Sequence, residues 1–231
     1  MKIINKIKLW WAKRNSRSYI EYLRSNGVKI GENCIIRGPR SFSIDLQRAH
    51  LITIGSNVDF NHNNSLIAHD GVAKIFRFKY NDYLPSNGQI TIGNNVMLAR
   101  NVTILKGVTI GDNSFIGLGA VVTHDIPANS VAVGTPARVI CTLDEYYERR
   151  KKESLQESFE FARGIVERYR RRPVPGDFHE SFVWFVSGKD MDKYPEIPFK
   201  HQLGPAYEHY KATHVAKYAS FDEFLKAAGI E

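Results

Sequence analysis

Eight histidines are distributed along the 231 residues. An imidazole, with an unperturbed pKa of ~6.5, is the side chain best matched to taking a proton from a hydroxyl near neutral pH. One of them, His69, stands in Ile67-Ala68-His69-Asp70-Gly71, where a regular apolar pattern breaks off. A base of this kind needs an acceptor for its second ring N–H. Asp70 is adjacent, but neighbouring side chains on a strand point apart, which suits Asp70 better to setting the turn. Asp59, Asn64 or a backbone carbonyl are the alternatives. His62, in Asn61-His62-Asn63-Asn64, is a second candidate for contact with a bound acceptor, against a plain corner role. The residues leave that choice open. No segment reads as a nucleophile motif.

The elements that must position His69 announce themselves by a beat of six. Apolar residues recur at Ile92, Leu98, Ile104, Ile110, Ile116 and Val122, and four residues after each stands an apolar or small one: Val96, Val102, Val108, Ser114, Ala120 and Ile126. Neither a helical period of ~3.6 nor strand alternation gives this pattern; a parallel β-helix does, each hexad being a short strand plus a turn. Three hexads make one coil, so residues eighteen apart stack. Gly93, Asn94, Asn95, Gly107, Gly111, Asp112 and Asn113 supply the corners. The beat starts at Ile30-Gly31, runs through Ile36 and Phe42, and falters across 43–51, where Arg48 takes an inward place. A corner insertion or distorted coil is expected there. It resumes at Ile54-Gly55, Phe60 and Leu66, is lost after Ile67 for about twenty residues, and returns at Ile90.

A solenoid tolerates insertions at its corners, and such insertions line the functional face. This one, 72–89, carries Lys74, Phe76, Arg77, Phe78, Lys79 and Tyr80 before the turn Pro85-Ser86-Asn87-Gly88. Aromatic faces beside cations suit a sugar, including an anionic one. Three aromatics in five residues argue against full exposure.

The ends of a solenoid need covers. Residues 3–26 read as a helix with the stripe Ile3, Ile4, Ile7, Trp10, Trp11, Tyr19, Ile20 and Leu23, ending at Asn26-Gly27. Lys2, Lys6, Lys8, Lys13, Arg14 and Arg17 beside the two tryptophans also fit a helix lying on a membrane surface. Past the repeats, Leu143 to about Arg171 reads as a long helix stopped by Pro173 and Pro175-Gly176. A last helix is announced by the capping box Ser220-Phe221-Asp222-Glu223. The organisation expected is an N-terminal helical cap (1–27), a mainly β repeat domain (28–143) with its inserted loop (72–89), and a mostly helical extension (144–231) whose role is undeciphered.

The stretch ITIGNNV, GVTIGDNSFIGLGAVVTHDIP and VAVGTPARVI resembles the hexapeptide-repeat acyltransferase superfamily, in the branch of maltose, galactoside and polysaccharide O-acetyltransferases. The resemblance covers about residues 28–143. It implies a left-handed coil, against the usual hand of parallel crossovers, with acetyl-CoA as donor, a homotrimer with sites between subunits, and direct transfer without an acyl-enzyme. It implies that His69 is the general base. It places the donor along Met97, Ala99, Arg100, Gly117, Leu118, Thr123, His124 and Arg138. Met97 stands where an aromatic is frequent, Leu118 where alanine is usual and His124 where lysine is usual. Lys74, Phe76, Arg77 and Tyr80 become the acceptor loop. A zinc-dependent relative with the same coil uses three histidines on neighbouring coils of two subunits; His50, His62, His69 and His124 are spaced differently, so no metal is expected. The implied function is acetylation of a sugar hydroxyl in bacterial surface polysaccharide. N-acetylation of an amino-sugar nucleotide or antibiotic, or a glycan-binding scaffold, are the alternatives.

A net charge of +8 raises nucleic acid as a partner, but no nucleic-acid motif accompanies it, and anionic ligands such as CoA phosphates and acidic glycans account for it better. Cys34 and Cys141 are too few for a disulfide framework, and Cys34 falls on an inward position, pointing to a buried thiol and a reducing compartment. The first eighteen residues lack the apolar core of a signal peptide. A cytoplasmic place, including the inner membrane face, is expected.

Overall fold

Each hexad becomes a strand of two or three residues and a tight corner. In the computed structural model, which describes residues 2–231 with side chains from Lys6 onward, the strands stack into three sheets. The first holds β1 (Lys29–Ile30), β4 (Ile52–Ile54), β7 (Ile90–Ile92) and β10 (Val108–Ile110). The second holds β2 (Ile35–Ile36), β5 (Asp59–Phe60), β8 (Met97–Leu98), β11 (Phe115–Ile116) and β13 (Ser130–Val133). The third holds β3 (Ser43–Ile44), β6 (Ser65–Ile67), β9 (Thr103–Leu105) and β12 (Val121–Val122). The chain visits the sheets in rotation and every one of these pairings is parallel. The last strand, β14 (Arg138–Thr142), turns back antiparallel to β13 and closes the second sheet.

The beat is the core. Ile92, Leu98, Ile104, Ile110, Ile116 and Val122 are at most 1% exposed, and Val96, Val102, Val108, Ser114, Ala120 and Ile126 at most 4%. Each fully buried aliphatic side chain contributes about 1.5–3 kcal/mol relative to exposure. Ser114 meets its polar obligation through Pro127 O, 3.2 Å away. Cys34 is half-buried rather than fully enclosed; its Sγ reaches Gly55 O at 3.1 Å, and burial pushes the thiol pKa up.

Corners are set by asparagine. Asn33, Asn57, Asn95, Asn113 and Asn129 all hold φ between 55° and 58°, the left-handed region that Asn and Gly enter at least cost. Their amides form a ladder along one edge: each Nδ2 donates to the next Oδ1, at 3.3, 2.9, 3.0 and 3.0 Å. A second corner repeats the device with Asn63 and Asn101, 3.0 Å apart. The ladder also measures the interruptions. The uninterrupted step from Asn95 to Asn113 is 18 residues, whereas Asn33 to Asn57 takes 24. Of the surplus of 24 − 18 = 6, four residues lie between β3 and β6, where Ser43 pairs with Ser65 at a spacing of 22 and the 3-10 turn Leu46–Leu51 is the distortion expected near Arg48; the other two lengthen the corner before β3. Asn57 to Asn95 takes 38, and 38 − 18 = 20 residues are the insertion.

The N-terminal segment is two helices, not one: α1 (Lys2–Ala12) and α2 (Ser16–Ser25). Asn15 divides them by capping α2, its Oδ1 accepting from Ser18 N at 2.9 Å. The Ile3, Ile4 and Lys2 side chains lie outside the described residues. Helix α2 covers the first coil. Tyr19 packs edge-on against Phe42, which packs on Phe60. Polar groups satisfy the coil's open edge: Ile36 N donates to Ser16 Oγ (2.8 Å), Lys13 Nζ to Phe42 O (2.8 Å) and Arg24 to Ile30 O and Gly31 O (3.1 and 2.5 Å).

Inside the insertion a short helix forms, α3 (Ala73–Lys79), which the sequence pattern did not announce. Its aromatics are not packed away as expected: Phe78 is 79% and Tyr80 60% exposed, with Arg77 over the Phe78 ring and Lys79 over the Tyr80 ring.

The chain divides into two units, one ending at Tyr147 and one spanning Glu148–Glu231. The boundary falls within helix α4 (Leu143–Tyr169), two residues shorter than read from sequence. The second unit adds α5 (Phe199–Leu203), α6 (Tyr207–Thr213) and α7 (Phe221–Ala227) among 3-10 turns. It has its own core, in which Phe178 meets Phe185, Phe221 and Phe224 edge-on. Ser220 caps α7 as expected, accepting from Glu223 N at 3.1 Å. No helix among the described residues is long and apolar enough to cross a membrane.

The ladder yields a test. Asn113→Ala places a Cβ-bearing residue without a local polar partner at φ 55° and removes two ladder bonds; it should destabilise the coil by about 2 kcal/mol. Asn113→Gly keeps the backbone geometry and loses only the bonds, so it should cost about half as much. Chemical unfolding followed by circular dichroism compares them; equal losses would mean that the corner conformation carries no penalty.

Candidate active site

His69 stands two residues past β6, beyond the buried Ala68, where the coil gives way to the insertion. The two feet of the insertion pair like a hairpin: Gly88 N donates to Ala68 O (3.1 Å), Asp70 N to Ser86 O (3.3 Å), and His69 bridges to Asn87. His69 is therefore held on a backbone frame. Its Nδ1 lies 2.5 Å from Asp45 Oδ2, one coil below, where β3 pairs with β6. The Asp45 side chain is only 9% exposed, while that of His69 is 41% exposed. A carboxylate only accepts, so this bond fixes the proton on Nδ1 and leaves the Nε2 lone pair as the acceptor.

Asp45 is not left to hold its charge alone. Arg48, from the 3-10 turn, sets Nη1 3.4 Å from Asp45 Oδ2 and donates through Nε to Asn87 Oδ1. The same arginine thus ties the lower coil to the returning foot of the insertion. On the other side of His69, Asp70 accepts from Val72 N (3.0 Å) and Ser86 Oγ (2.8 Å) and pairs with Lys106 Nζ at 3.0 Å. Lys106 also donates to Ser86 Oγ. Asp70 sets the turn, as its strand direction suggested.

The other candidates for orienting His69 are engaged elsewhere. Asp59 makes a two-pronged pair with Arg37 (2.9 and 2.5 Å). Asn64 is fully buried, its Oδ1 accepting from Val102 N at 2.9 Å. The His62 Nδ1 lies 2.9 Å from Asn61 Oδ1. Asp45, Arg48 as its companion, Asn87, Ser86 and Lys106 are the site residues that sequence reading missed. Asp45 lay in the stretch where the beat falters, and the offset of 22 residues between Ser43 and Ser65, rather than 18, hid its place beside β6.

The expected donor residues fall into two groups. Met97, Ala99, Arg100, Gly117 and Leu118 stack along the second sheet and its following corner: Ala99 N donates to Ile116 O, Gly117 N to Ala132 O and Gly119 N to Arg100 O. A Cβ on Gly117 would sit 2.7 Å from a Val133 methyl, and Gly119 holds φ 70°, so the coil's own packing and corner geometry favour glycine at both positions. Leu118 is 70% exposed. Thr123, His124 and Arg138 form the second group. His124 and Arg138 share a depression of about 280 Å³ with Asp125, Ile126, Ala137 and Val139, and Thr123 Oγ1 lies 2.8 Å from His124 Nδ1. Strands β6, β9 and β12 stack in register, so His69, Lys106 and His124 follow their ends on one edge of the third sheet. No cluster of three metal-ligating side chains occurs among the described residues.

Residues 89–124 match the bacterial transferase hexapeptide (six repeats) family. The chain is 37% identical over 146 residues to galactoside O-acetyltransferase of Escherichia coli (strain K12), an alignment covering 59% of this chain and 66% of that one. It is 37% identical over 147 residues to Protein CapG of Staphylococcus aureus, covering 62% and 81%. To galactoside O-acetyltransferase of Lactococcus lactis subsp. lactis (strain IL1403) it is 33% identical over 160 residues, covering 60% and 76%. The chain belongs to the hexapeptide-repeat transferase family. It spans just under two thirds of the E. coli relative.

The Asp70 clamp makes a pH prediction. The Val72 N–H, then Lys106 and Ser86, hold its carboxyl down to about 2, below the ordinary ~3.9 of an aspartate. Its contribution to holding the insertion is complete above about pH 4 and is lost as pH falls through about 2. A carbon-13 titration of the Asp70 carboxyl should give a midpoint near 2, rising toward the ordinary value in Lys106→Met. An ordinary midpoint in the wild type would remove the clamp.

Proposed function

We propose that the protein transfers the acetyl group of acetyl-CoA directly to a sugar hydroxyl of a bacterial surface polysaccharide, inside the cell, with His69 as general base. The observation that carries this reading is the 2.5 Å His69–Asp45 pair, half-open to solvent at the foot of an aromatic, cationic insertion. The acceptor hydroxyl gives its proton to His69 Nε2 as its oxygen attacks the thioester carbonyl. Collapse of the tetrahedral intermediate breaks the C–S bond, and the CoA thiolate takes the proton from the imidazolium. Asp45 stabilises that imidazolium and keeps the ring in the productive tautomer, the role a buried carboxylate plays beside any histidine base.

The coil is left-handed in this reading and the molecule a homotrimer, with CoA laid along the groove formed by Met97, Ala99, Arg100, Gly117 and Leu118 and its phosphates toward His124 and Arg138. Lys74, Phe76, Arg77 and Tyr80 receive the sugar, ring faces against its apolar side and cations against acidic groups. The names of the E. coli and L. lactis relatives support the O-acetyl chemistry, and the exposed rings with their paired cations support a carbohydrate acceptor.

Acetyl-CoA titration and a thiol-release assay over a panel of saccharides test this. His69→Ala should lose 10²–10⁴-fold in kcat with donor affinity unchanged. Asp45→Asn, which can present an amide N–H to Nδ1 and favour the wrong tautomer, should lose at least tenfold in kcat. Full turnover in His69→Ala sinks the mechanism; absence of acyl-CoA binding by a folded wild type sinks the donor.

A further inference from the structure

Helix α1 has an outward face that the coil does not use. At roughly 100° per residue, Ile7, Trp10 and Trp11 fall on one arc of the helix, with Lys6 and Lys8 on its two flanks and Arg14 in the turn just past its end. Ile7 is 53% exposed, Trp10 63% and Trp11 55%, whereas Ala12 is buried and Leu9 packs against the coil core. The two indoles stand edge to face with centroids 5.3 Å apart, so they present one continuous apolar ridge. Lys6, Lys8 and Arg14 are exposed beside it.

The charge around this ridge has one sign. Residues 1–20 contain Lys2, Lys6, Lys8, Lys13, Arg14 and Arg17 and no acid; the first is Glu21, which pairs with Arg17. Lys13 is already turned inward to Phe42 O and the Tyr19 ring, which leaves Lys6, Lys8 and Arg14 as the cations nearest the exposed face. A second copy of the chain, at net charge +8, offers this face no excess of opposite charge. An anionic headgroup layer does, and paired tryptophans are suited to the boundary between headgroups and acyl chains. Eleven residues span about 16 Å as a helix, too short to cross a bilayer and long enough to lie in its surface.

We propose that α1 docks the protein in the plane of an anionic lipid bilayer, with Ile7, Trp10 and Trp11 inserted at the headgroup boundary and Lys6, Lys8 and Arg14 against lipid phosphates. This does not depend on the proposed catalytic reaction. It brings the active unit to substrates displayed at a membrane surface.

The test is co-sedimentation of the full chain with phosphatidylcholine vesicles and with vesicles in which phosphatidylglycerol replaces a third of the lipid. Wild type should bind the anionic vesicles and release with rising salt. Lys6→Gln with Lys8→Gln should weaken binding about twenty-five-fold, roughly fivefold per cation, and Trp10→Ser with Trp11→Ser by more than tenfold. Circular dichroism melting of each variant confirms that the coil is intact. Indole quenching by acyl-brominated lipid, present in wild type and lost in the tryptophan variant, reports insertion without relying on affinity. Wild type that stays in solution, binds both vesicle types equally, or binds as well without its tryptophans overturns the proposal. So does a tryptophan variant that changes only the oligomeric mass by light scattering, which would make the ridge a contact between copies.

Discussion

A coil of three short strands can repeat only if its corners turn sharply, within about four residues, and the left-handed backbone conformation at those corners is the constraint on which the rest of this molecule depends. Five asparagines meet it on one edge and join their amides into a ladder. The side chain that tolerates the conformation is also the one whose donor and acceptor reach the coils above and below. Glycine would relieve the same strain but leave the edge uncrosslinked and the unfolded chain freer. With corners fixed, inward residues superpose and the core follows.

Fixed corners also explain why the chain can leave the coil and return without cost to the core. The insertion departs after Ala68 and rejoins at Gly88, and its feet hydrogen-bond to each other, so Ile90 resumes stacking against Ile52 as though nothing had intervened. Two ionic clamps flank the junction: Arg48 between Asp45 and Asn87, and Lys106 between Asp70 and Ser86. Each joins a coil residue to the returning foot. The exposed tip, with Phe78 and Tyr80 in solvent, is tied to the coil through these feet.

How much of this could be read in the residues follows from what sets each feature. The inward positions were legible because a strict period leaves no other assignment, and Ile92 to Val122 are buried as their spacing requires. His69 was legible because it stands where that period fails. Asp45 was not, because its contact depends on a register of 22 residues set by the stretch containing the 3-10 turn between β3 and β4, and no periodic reading carries such an offset. The break at Asn15 was hidden for another reason: the apolar stripe continues through it, and only the capping bond to Ser18 shows that the chain starts a new helix. The exposure of Phe78 contradicts the sequence expectation because hydrophobicity alone does not say which surface a loop aromatic will meet.

The position of His69, the proposed base, follows from these mechanics. A general base must be rigid relative to the donor yet open to an acceptor that comes and goes. On a strand inside the coil, a histidine would be rigid but closed; on the insertion's tip it would be open but mobile. His69, two residues past β6 and just beyond the buried Ala68, opens to solvent while its backbone is still paired, to Asn87 on the returning foot. The carboxylate that orients it comes from the coil below rather than from the loop, so movement of α3 need not disturb the His69–Asp45 bond. Lys106, at the end of the next strand on that edge, and Arg138, in the depression it shares with His124, carry positive charge. In the proposed reaction the phosphates of an anionic donor lying along the coils would be drawn to that depression, and its reactive end would be left to meet His69.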